Sequence, residues 1–216
     1  MRVVIGEDQA LLREGLAMLL ANARFEVAAL AADAPALERA ALDHRPDLVV
    51  ADIRMPPENT DDGLRAALRI RARLPATAVL VLSQHVQPRY ATDLLAHGAN
   101  GVGYLLKQRV ADVDSFVADA RRVTDGGTAL DPEIVAAMLT RRNRRSEIES
   151  LTPRQREVLA LMAQGRSNGA IAHHLTVTEK AVVNHVTHIY DRLALAPNAD
   201  DHRRVLAVVR HLTSEP

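Results

Sequence analysis

Short apolar runs recur at Val3 to Ile5, Leu48 to Ala51, Ala78 to Leu82 and Val102 to Leu106, with a weaker one at Val27 to Leu30. Runs of this length, bounded by polar or turn-forming residues, predict buried parallel strands. Between and after them, apolar positions recur at helical spacing over Gln9 to Ala21, Ala34 to Asp43, Asp61 to Arg73, Pro88 to His97 and Ala111 to Val123. A strand followed by a helix, repeated five times, predicts a doubly wound α/β sheet of five parallel strands, because parallel neighbours need crossover helices that then cover both faces. The expected first domain is residues 1–125.

Asp125-Gly126-Gly127 breaks this pattern, and Asp131-Pro132-Glu133 starts a new helix with Asp as N-cap and Pro at the first helical position. That helix is expected to end near Arg142. The stretch Arg141 to Glu147 is charged and poor in apolar residues, so it reads as a solvated linker or as a segment that brushes nucleic-acid phosphates. Residues 126–150 are therefore expected to be a linker with a helix. From Leu151 the strand pattern vanishes, and four helical segments follow at Pro153 to Ala163, Asn168 to His174, Glu179 to Leu193 and Ala199 to Leu212. They predict a small all-α domain over residues 151–216.

Composition narrows the chemistry. The chain of 216 residues has no cysteine, which excludes disulfides, thiolate metal sites and cysteine nucleophiles and fits a reducing compartment, the cytoplasm. Acids at Glu7 and Asp8 interrupt the opening apolar stretch, and no later apolar run approaches about 18 residues, so neither secretion nor membrane spanning is expected. Lys+Arg and Asp+Glu are 27 each, which rules out a generally basic coat for nucleic acid while leaving room for a local one. Lys+Arg against Asp+Glu is 15 to 17 over residues 1–130 and 8 to 6 over residues 151–216, so only the last third leans positive.

In an open parallel sheet, ligands bind at the carboxyl ends of the strands. Here the first run is followed by Glu7 and Asp8, the third by Asp52, the fourth by Ser83 and the fifth by Lys107. A lone acid at a strand end is ordinarily a cap or a solvated group, but five polar positions on four strand ends make a site. Clustered carboxylates repel one another, and a hard divalent cation such as Mg²⁺ relieves that repulsion. A lysine and a hydroxyl nearby suit an added phosphoryl group, and an aspartate can itself be the nucleophile that forms an acyl phosphate. Tyr104, three residues before Lys107 on an apolar strand, reads either as packing or as part of a switch.

These residues resemble the receiver domains of two-component response regulators, through the pair Glu7-Asp8, Asp52-Ile53-Arg54-Met55-Pro56 and Gly103-Tyr104-Leu105-Leu106-Lys107. The resemblance implies a flavodoxin-like fold. It also implies that Asp52 accepts a phosphoryl group from a histidine kinase, and that Asp8 and Asp52 bind Mg²⁺ with the backbone carbonyl of Arg54. Glu7 would help through water, Lys107 and Ser83 would act on the phosphoryl oxygens, and Ser83 with Tyr104 would be the switch pair. Two departures stand out: Gln108 follows Lys107 where many receivers have Pro, and the loop Pro57-Glu58-Asn59-Thr60-Asp61-Asp62 is longer and more acidic than usual.

In the last third, Thr152-Pro153 with an acid one turn in is a strong helix start, Gly165 ends that helix, and Thr178-Glu179 caps a later one. On the third helix Val182, Val186, Ile189 and Leu193 form one apolar stripe, so Lys180, Asn184, Thr187 and Asp191 face outward with Val183 and His188 beside them. Lys, Asn and Thr are residue types that read a major groove, although the same face is also what a solvated helix shows. The framework Leu151-Thr152-Pro153-Arg154, Arg156-Glu157-Val158-Leu159, Asn168, Ile171-Ala172, Thr178-Glu179, Val182 and His185 resembles the LuxR-type helix-turn-helix, with His185, beside the apolar stripe, read mainly as packing. With the receiver it makes the whole chain similar to the NarL/FixJ class of response regulators. The resemblance implies contact with double-stranded DNA by Lys180, Asn184, Thr187, His188, Arg166 and Ser167, and a homodimer when phosphorylated. Uncharged Val183, Asn184 and Thr187 and acidic Asp191 leave the face thinly charged, so a protein-interaction switch with a weak or vestigial DNA-binding domain is the alternative. An enzymatic reading, a phosphohydrolase with Asp52 as nucleophile, is disfavoured because Arg54 stands where the general acid would be.

Overall fold

A computed structural model describes residues 1–96, 98–196 and 202–214. The chain forms two units, Met1–Met138 and Leu139–Pro216. The first is built on six parallel strands: β1 (Arg2–Gly6), β2 (Glu26–Ala31), β3 (Leu48–Asp52), β4 (Ala78–Ser83), β5 (Val102–Leu106) and β6 (Thr128–Leu130). They are hydrogen-bonded in the order β2-β1-β3-β4-β5-β6. Its helices are α1 (Ala10–Asn22), α2 (Ala34–His44), α3 (Asp62–Arg73), α4 (Pro88–Leu95) and α5 (Val113–Thr124).

Alternation along each strand explains why both faces are covered. Val4, Val49, Ala51, Val79, Val81 and Tyr104 point to one face, where α2, α3 and α4 supply Leu37, Leu64, Ile70 and Leu94. Val3, Ile5, Leu48, Val50, Leu80 and Leu82 point to the other, against Leu16 and Leu20 of α1 and Phe116 and Ala120 of α5. Burying this much apolar surface on two sides, at about 25 cal/mol per Å², is what holds the strand ends in place.

The structure departs from the sequence-based expectation in three places. A sixth strand follows Gly126-Gly127: Thr128, Ala129 and Leu130 pair with Val102, Gly103 and Tyr104. Three residues are too short a run to show alternation. The helix expected from Ala111 begins at Val113, capped by Asp112 through the Ser115 amide, and Lys107–Ala111 is a 3₁₀ turn instead. The helix after Pro132 does not end near Arg142 but runs to Glu149 as α6 (Pro132–Glu149). Arginine is a good helix former and the stretch lacks Gly and Pro, so a charged run was no reason for the helix to stop. Ile148 anchors its end, only 9% exposed. His97 and residues 199–201, expected at helix termini, lie outside the described residues.

The second unit contains α7 (Pro153–Ala163), α8 (Asn168–Leu175), α9 (Glu179–Arg192) and α10 (Arg203–Ser214). Thr152 and Gln155 form a capping box, so the residue that reaches back to the cap is Gln155 and not an acid further along. Ile171, Val182, Val186, Ile189 and Leu193 close the core with Val158, Leu159 and Met162. Ser167 caps α8 and Thr178 caps α9, and Thr176, in the left-handed region at φ 54°, makes the turn between them.

One glycine decides how closely α3 approaches β3. The Gly63 amide donates to the Ile53 carbonyl at 3.0 Å, and a Cβ at Gly63 would lie 1.8 Å from the Asp52 carbonyl oxygen. Gly15, exposed in the middle of α1, has nothing within 4 Å of where its Cβ would be. Gly63→Ala should therefore cost about 3 kcal/mol or more in urea unfolding, as backbone must move, while Gly15→Ala should gain about 0.5–1 kcal/mol. Equal effects at the two positions would contradict the close approach.

Candidate functional site

β1, β3, β4 and β5 are neighbours in the sheet, so the residues at their carboxyl ends meet at one cleft. The Lys107 ammonium donates to Asp52 Oδ2 at 2.8 Å and to Glu7 Oε1 at 2.9 Å. Glu7 Oε2 lies 2.8 Å from the same nitrogen, yet this buried oxygen has no well-aligned hydrogen bond. Glu7 is fully buried and Asp52 is 5% exposed, whereas Asp8 is exposed at the rim. One carboxylate oxygen from each of Glu7, Asp8 and Asp52 lies within 4.8 Å of the others. Asp8, Asp52, Arg54, Ser83 and Asn59 line the cleft.

Three carboxylates face one ammonium, and burial magnifies the imbalance. Burial raises Glu7 from an ordinary 4.5 to about 7, with Asp52 adding to the rise and Lys107 opposing it. Burial likewise raises Asp52 against the pull of Lys107. Burial works to lower Lys107, but its hydrogen bonds to Asp52 and Glu7 outweigh this and hold it above its usual value. A carboxylate set with an orphaned buried oxygen and an exposed member at its rim fits a hard divalent cation, which takes oxygen donors and keeps waters.

The backbone here is held from three sides. Arg13 of α1 donates to the carbonyl of Glu7 at 2.7 Å and to that of Asp8 at 3.3 Å. The Arg54 amide donates to Asp52 Oδ1 at 3.3 Å. Pro56, after the buried Met55, accepts from the Ala34 amide at 3.1 Å, tying the loop to α2. The acids of the following loop turn to local partners: Asp61 pairs with Arg65 at 2.9 Å, and Asp62 accepts from the Thr60 amide at 3.2 Å.

Ser83 Oγ donates to the His85 carbonyl at 2.8 Å. The Tyr104 ring is fully buried, and its hydroxyl donates to the Gln87 carbonyl at 3.4 Å. Burial raises the Tyr104 pKa, so the phenol stays protonated and donating. Both residues thus hold the segment between β4 and α4.

In the second unit Lys180, Asn184, Thr187, His188 and Asp191 are exposed along α9, and Val183 between them is 44% exposed. His185 is half-buried. Thr187 Oγ1 donates to the Val183 carbonyl at 3.1 Å, leaving its lone pairs outward. Ser167 is occupied as the cap of α8, accepting from the Ala170 amide at 3.2 Å. Arg166 is half-buried and directs its Nε to Gln164 at 3.2 Å. Arg204 of α10 was not anticipated from sequence: it donates to Asn168 Oδ1 at 2.8 Å and to the Arg166 carbonyl, pinning the start of α8. Only a contact across 36 residues identifies it, and no local pattern carries that.

A doubly wound sheet with a carboxylate–lysine cleft, joined to a four-helix unit with a helix-turn-helix, defines a phosphoacceptor domain linked to a DNA-binding one. Residues 3–113 match the response regulator receiver domain, and residues 149–200 match the bacterial regulatory proteins of the luxR family. The chain belongs to these response regulators. It is 35% identical over 207 residues to the transcriptional regulatory protein LnrK of Bacillus subtilis (strain 168), covering 90% of this chain and 91% of that one. It is 32% identical over 206 residues to the oxygen regulatory protein NreC of Staphylococcus epidermidis (strain ATCC 12228 / FDA PCI 1200), covering 90% and 92%. The fold superposes on the RcsB response regulator of Salmonella typhimurium with a TM-score of 0.69 at 19% identity, over 99% of both chains. No helix among the described residues is long and apolar enough to cross a membrane.

The raised Glu7 has a measurable consequence. A carboxyl whose folded pKa lies above its unfolded value binds more protons when folded, so its contribution to stability is present at low pH and is lost as pH rises from 4.5 to about 7. In metal-free buffer the urea midpoint of the parent, relative to that of Glu7→Gln, should fall across that window, and Mg²⁺ should restore it at the upper end. A difference that is flat or rises with pH would contradict the burial of Glu7 as an acid.

Proposed function

We propose that the chain is a phosphorylation-switched transcriptional regulator in which Asp52 accepts a phosphoryl group from a histidine kinase and the second unit binds double-stranded DNA as a homodimer. The observation that carries this reading is the Lys107 ammonium set between Glu7 and Asp52 at 2.8–2.9 Å, at the edge of a cleft. In the transfer, an Asp52 carboxylate oxygen forms a bond to phosphorus as the bond to the donor breaks, leaving an acyl phosphate. Lys107 offsets charge on the transferring oxygens, which is where preorganised charge acts most strongly. Asp8, Asp52 and the Arg54 carbonyl would hold Mg²⁺, with Glu7 acting through water, and the ion would supply further positive charge to those oxygens.

The output follows from what Ser83 and Tyr104 now hold. A new phosphoryl oxygen competes with the His85 carbonyl for the Ser83 hydroxyl, and the Tyr104 hydroxyl holds the next carbonyl along, at Gln87. Local charge thus biases the segment between β4 and α4 between two arrangements. On DNA, Lys180, Asn184, Thr187 and His188 of α9 are placed for the major groove, and Arg166 and Ser167 at the start of α8 for the backbone. Dimerisation compensates for a thinly charged face because two recognition helices one DNA turn apart combine their binding. The cytoplasm is the compartment in which such a chain meets both kinase and DNA.

A second reading, a protein-interaction switch with a weak DNA-binding domain, is favoured by the exposed Val183 and Asp191 on the same face as Lys180. It predicts no sequence-selective DNA binding at low salt.

With acetyl phosphate and Mg²⁺, the parent should be labelled, Asp52→Asn should not, and Lys107→Ala should be slowed on the order of 10²-fold. Electrophoretic shift should show DNA binding that tightens with label. Lys180→Ala should weaken all sequences alike and reduce the salt slope by about 0.9, while Asn184→Ala should cost about 1–3 kcal/mol on the preferred site and relax its specificity. DNA affinity that rises in Asp52→Asn on adding donor would sink the switch.

A further inference from the structure

Asp131 is fully buried and lies outside the acidic cleft, yet its bonds lead to β5, to the turn that opens with Lys107 and to the first turn of α6. Its amide donates to the Tyr104 carbonyl at 2.9 Å. Its carboxylate accepts from the Leu106 amide at 3.4 Å, from Arg109 Nε at 2.9 Å and Nη2 at 3.4 Å, and from the Glu133 amide in the first turn of α6 at 3.0 Å. The residue before Lys107 and the residue two after it are therefore both fastened to one carboxylate. Gln108 adds a further tie, donating through Nε2 to Glu133 Oε1 at 3.2 Å.

The need for such a clamp is visible in the chain. Lys107 must hold its ammonium between two carboxylates, but the turn it opens, Lys107–Ala111, has no fully buried residue, and Val110, half-buried against the core, is its one apolar anchor there. Gln108 supplies no ring to set the backbone angle, as proline would. A bidentate guanidinium on a buried carboxylate is the strong form of hydrogen bond, and its planar fork sets orientation as well as distance.

We propose that Arg109 and Asp131 are positioning residues for Lys107: their pairing fixes the turn that presents the ammonium to Asp52 and fastens that turn to the start of α6. This rests on the reading of Asp52 as phosphoacceptor. Neither residue touches the cleft, so the effect reaches the reaction through Lys107 alone. Because Arg109 is 43% exposed at its side chain, it can be changed without opening a cavity.

The test uses the full chain, acetyl phosphate and a Mg²⁺ titration. Arg109→Gln should lower the maximal rate of Asp52 labelling about fivefold, the scale of one ordinary hydrogen bond as fits a guanidinium 43% exposed, and leave the Mg²⁺ concentration for half-maximal rate unchanged. Arg109→Lys, which keeps one donor to Asp131, should recover to within about twofold of the parent. Amide exchange at Leu106, measured without phosphodonor, should quicken in Arg109→Gln and return toward the parent in Arg109→Lys. A rate in Arg109→Gln within about 1.5-fold of the parent overturns the assignment, a ratio too small for the loss of such a bond. So does a loss of rate accompanied by weakened Mg²⁺ dependence that lysine does not rescue, since that marks general loosening of the site. A parent chain that takes no label overturns the phosphoacceptor reading instead, before any variant is compared.

Discussion

One half-buried ammonium between two buried carboxylates sets the terms for the rest of the first unit. Taking Lys107, Glu7 and Asp52 out of water costs several kcal/mol per ion before their attraction is counted. The arrangement persists because the sheet around it is apolar on both faces and because the backbone is held by groups that do not enter the cleft. Arg13 grips the carbonyls beside the acidic pair, Gly63 lets α3 sit against the Asp52 carbonyl, and Asp131 fastens the turn after β5. Even so the charges do not balance. Glu7 is pushed to about 7 and one of its oxygens has no well-aligned bond. A cluster in that condition favours whatever brings in positive charge, and it changes its hydrogen bonding when an anionic group is added.

The consequences run along the sheet. Ser83 and Tyr104 stand at and just before the ends of two adjacent strands, and each holds a carbonyl between β4 and α4. β6 pairs with the first three residues of β5, and Asp131 joins the last one, Leu106, to the first turn of α6. Under the proposed switch, a charge event at Asp52 acts on the segment before α4 through Ser83 and Tyr104 and on the first turn of α6 through Asp131. That second unit answers a different constraint. Its core fixes which side of α9 is exposed, and Arg204 fixes where α8 begins. With a single lysine among the exposed residues of α9 named above, the proposed recognition would rest on Asn184 and Thr187 more than on general attraction to phosphate.

Most of this architecture was legible in the residue pattern because burial on two faces makes a strand read as a short unbroken apolar run. Leu48 to Ala51 and Ala78 to Leu82 could be located without reference to neighbours, and the polar residues just beyond them named the cleft. The features that escaped depend on long-range contacts or on runs too short to be periodic. Thr128 to Leu130 becomes a strand only because β5 lies open beside it. The charged end of α6 stays helical because Ile148 finds a core and Glu147 pairs with Arg210 at 2.9 Å. Asp131 was visible as a helix cap, but its grip on Arg109 and Leu106 was not, since cap and strand end are 25 residues apart. Arg13 and Arg204 carry no local signal for the same reason. The outward residues of α9 were read from helical spacing alone, which shows which side is outward and says nothing about what meets it.

The central claim is that the carboxylate–lysine cleft governs the association of the whole chain, and the most direct measurement is its mass in solution by light scattering with Mg²⁺, with and without beryllium fluoride as a mimic of the acyl phosphate. The parent chain should be a monomer that becomes a dimer when beryllium fluoride is added, and Asp52→Ala should stay monomeric. A mass that does not change while fluorine resonance shows beryllium fluoride bound at the site would contradict it.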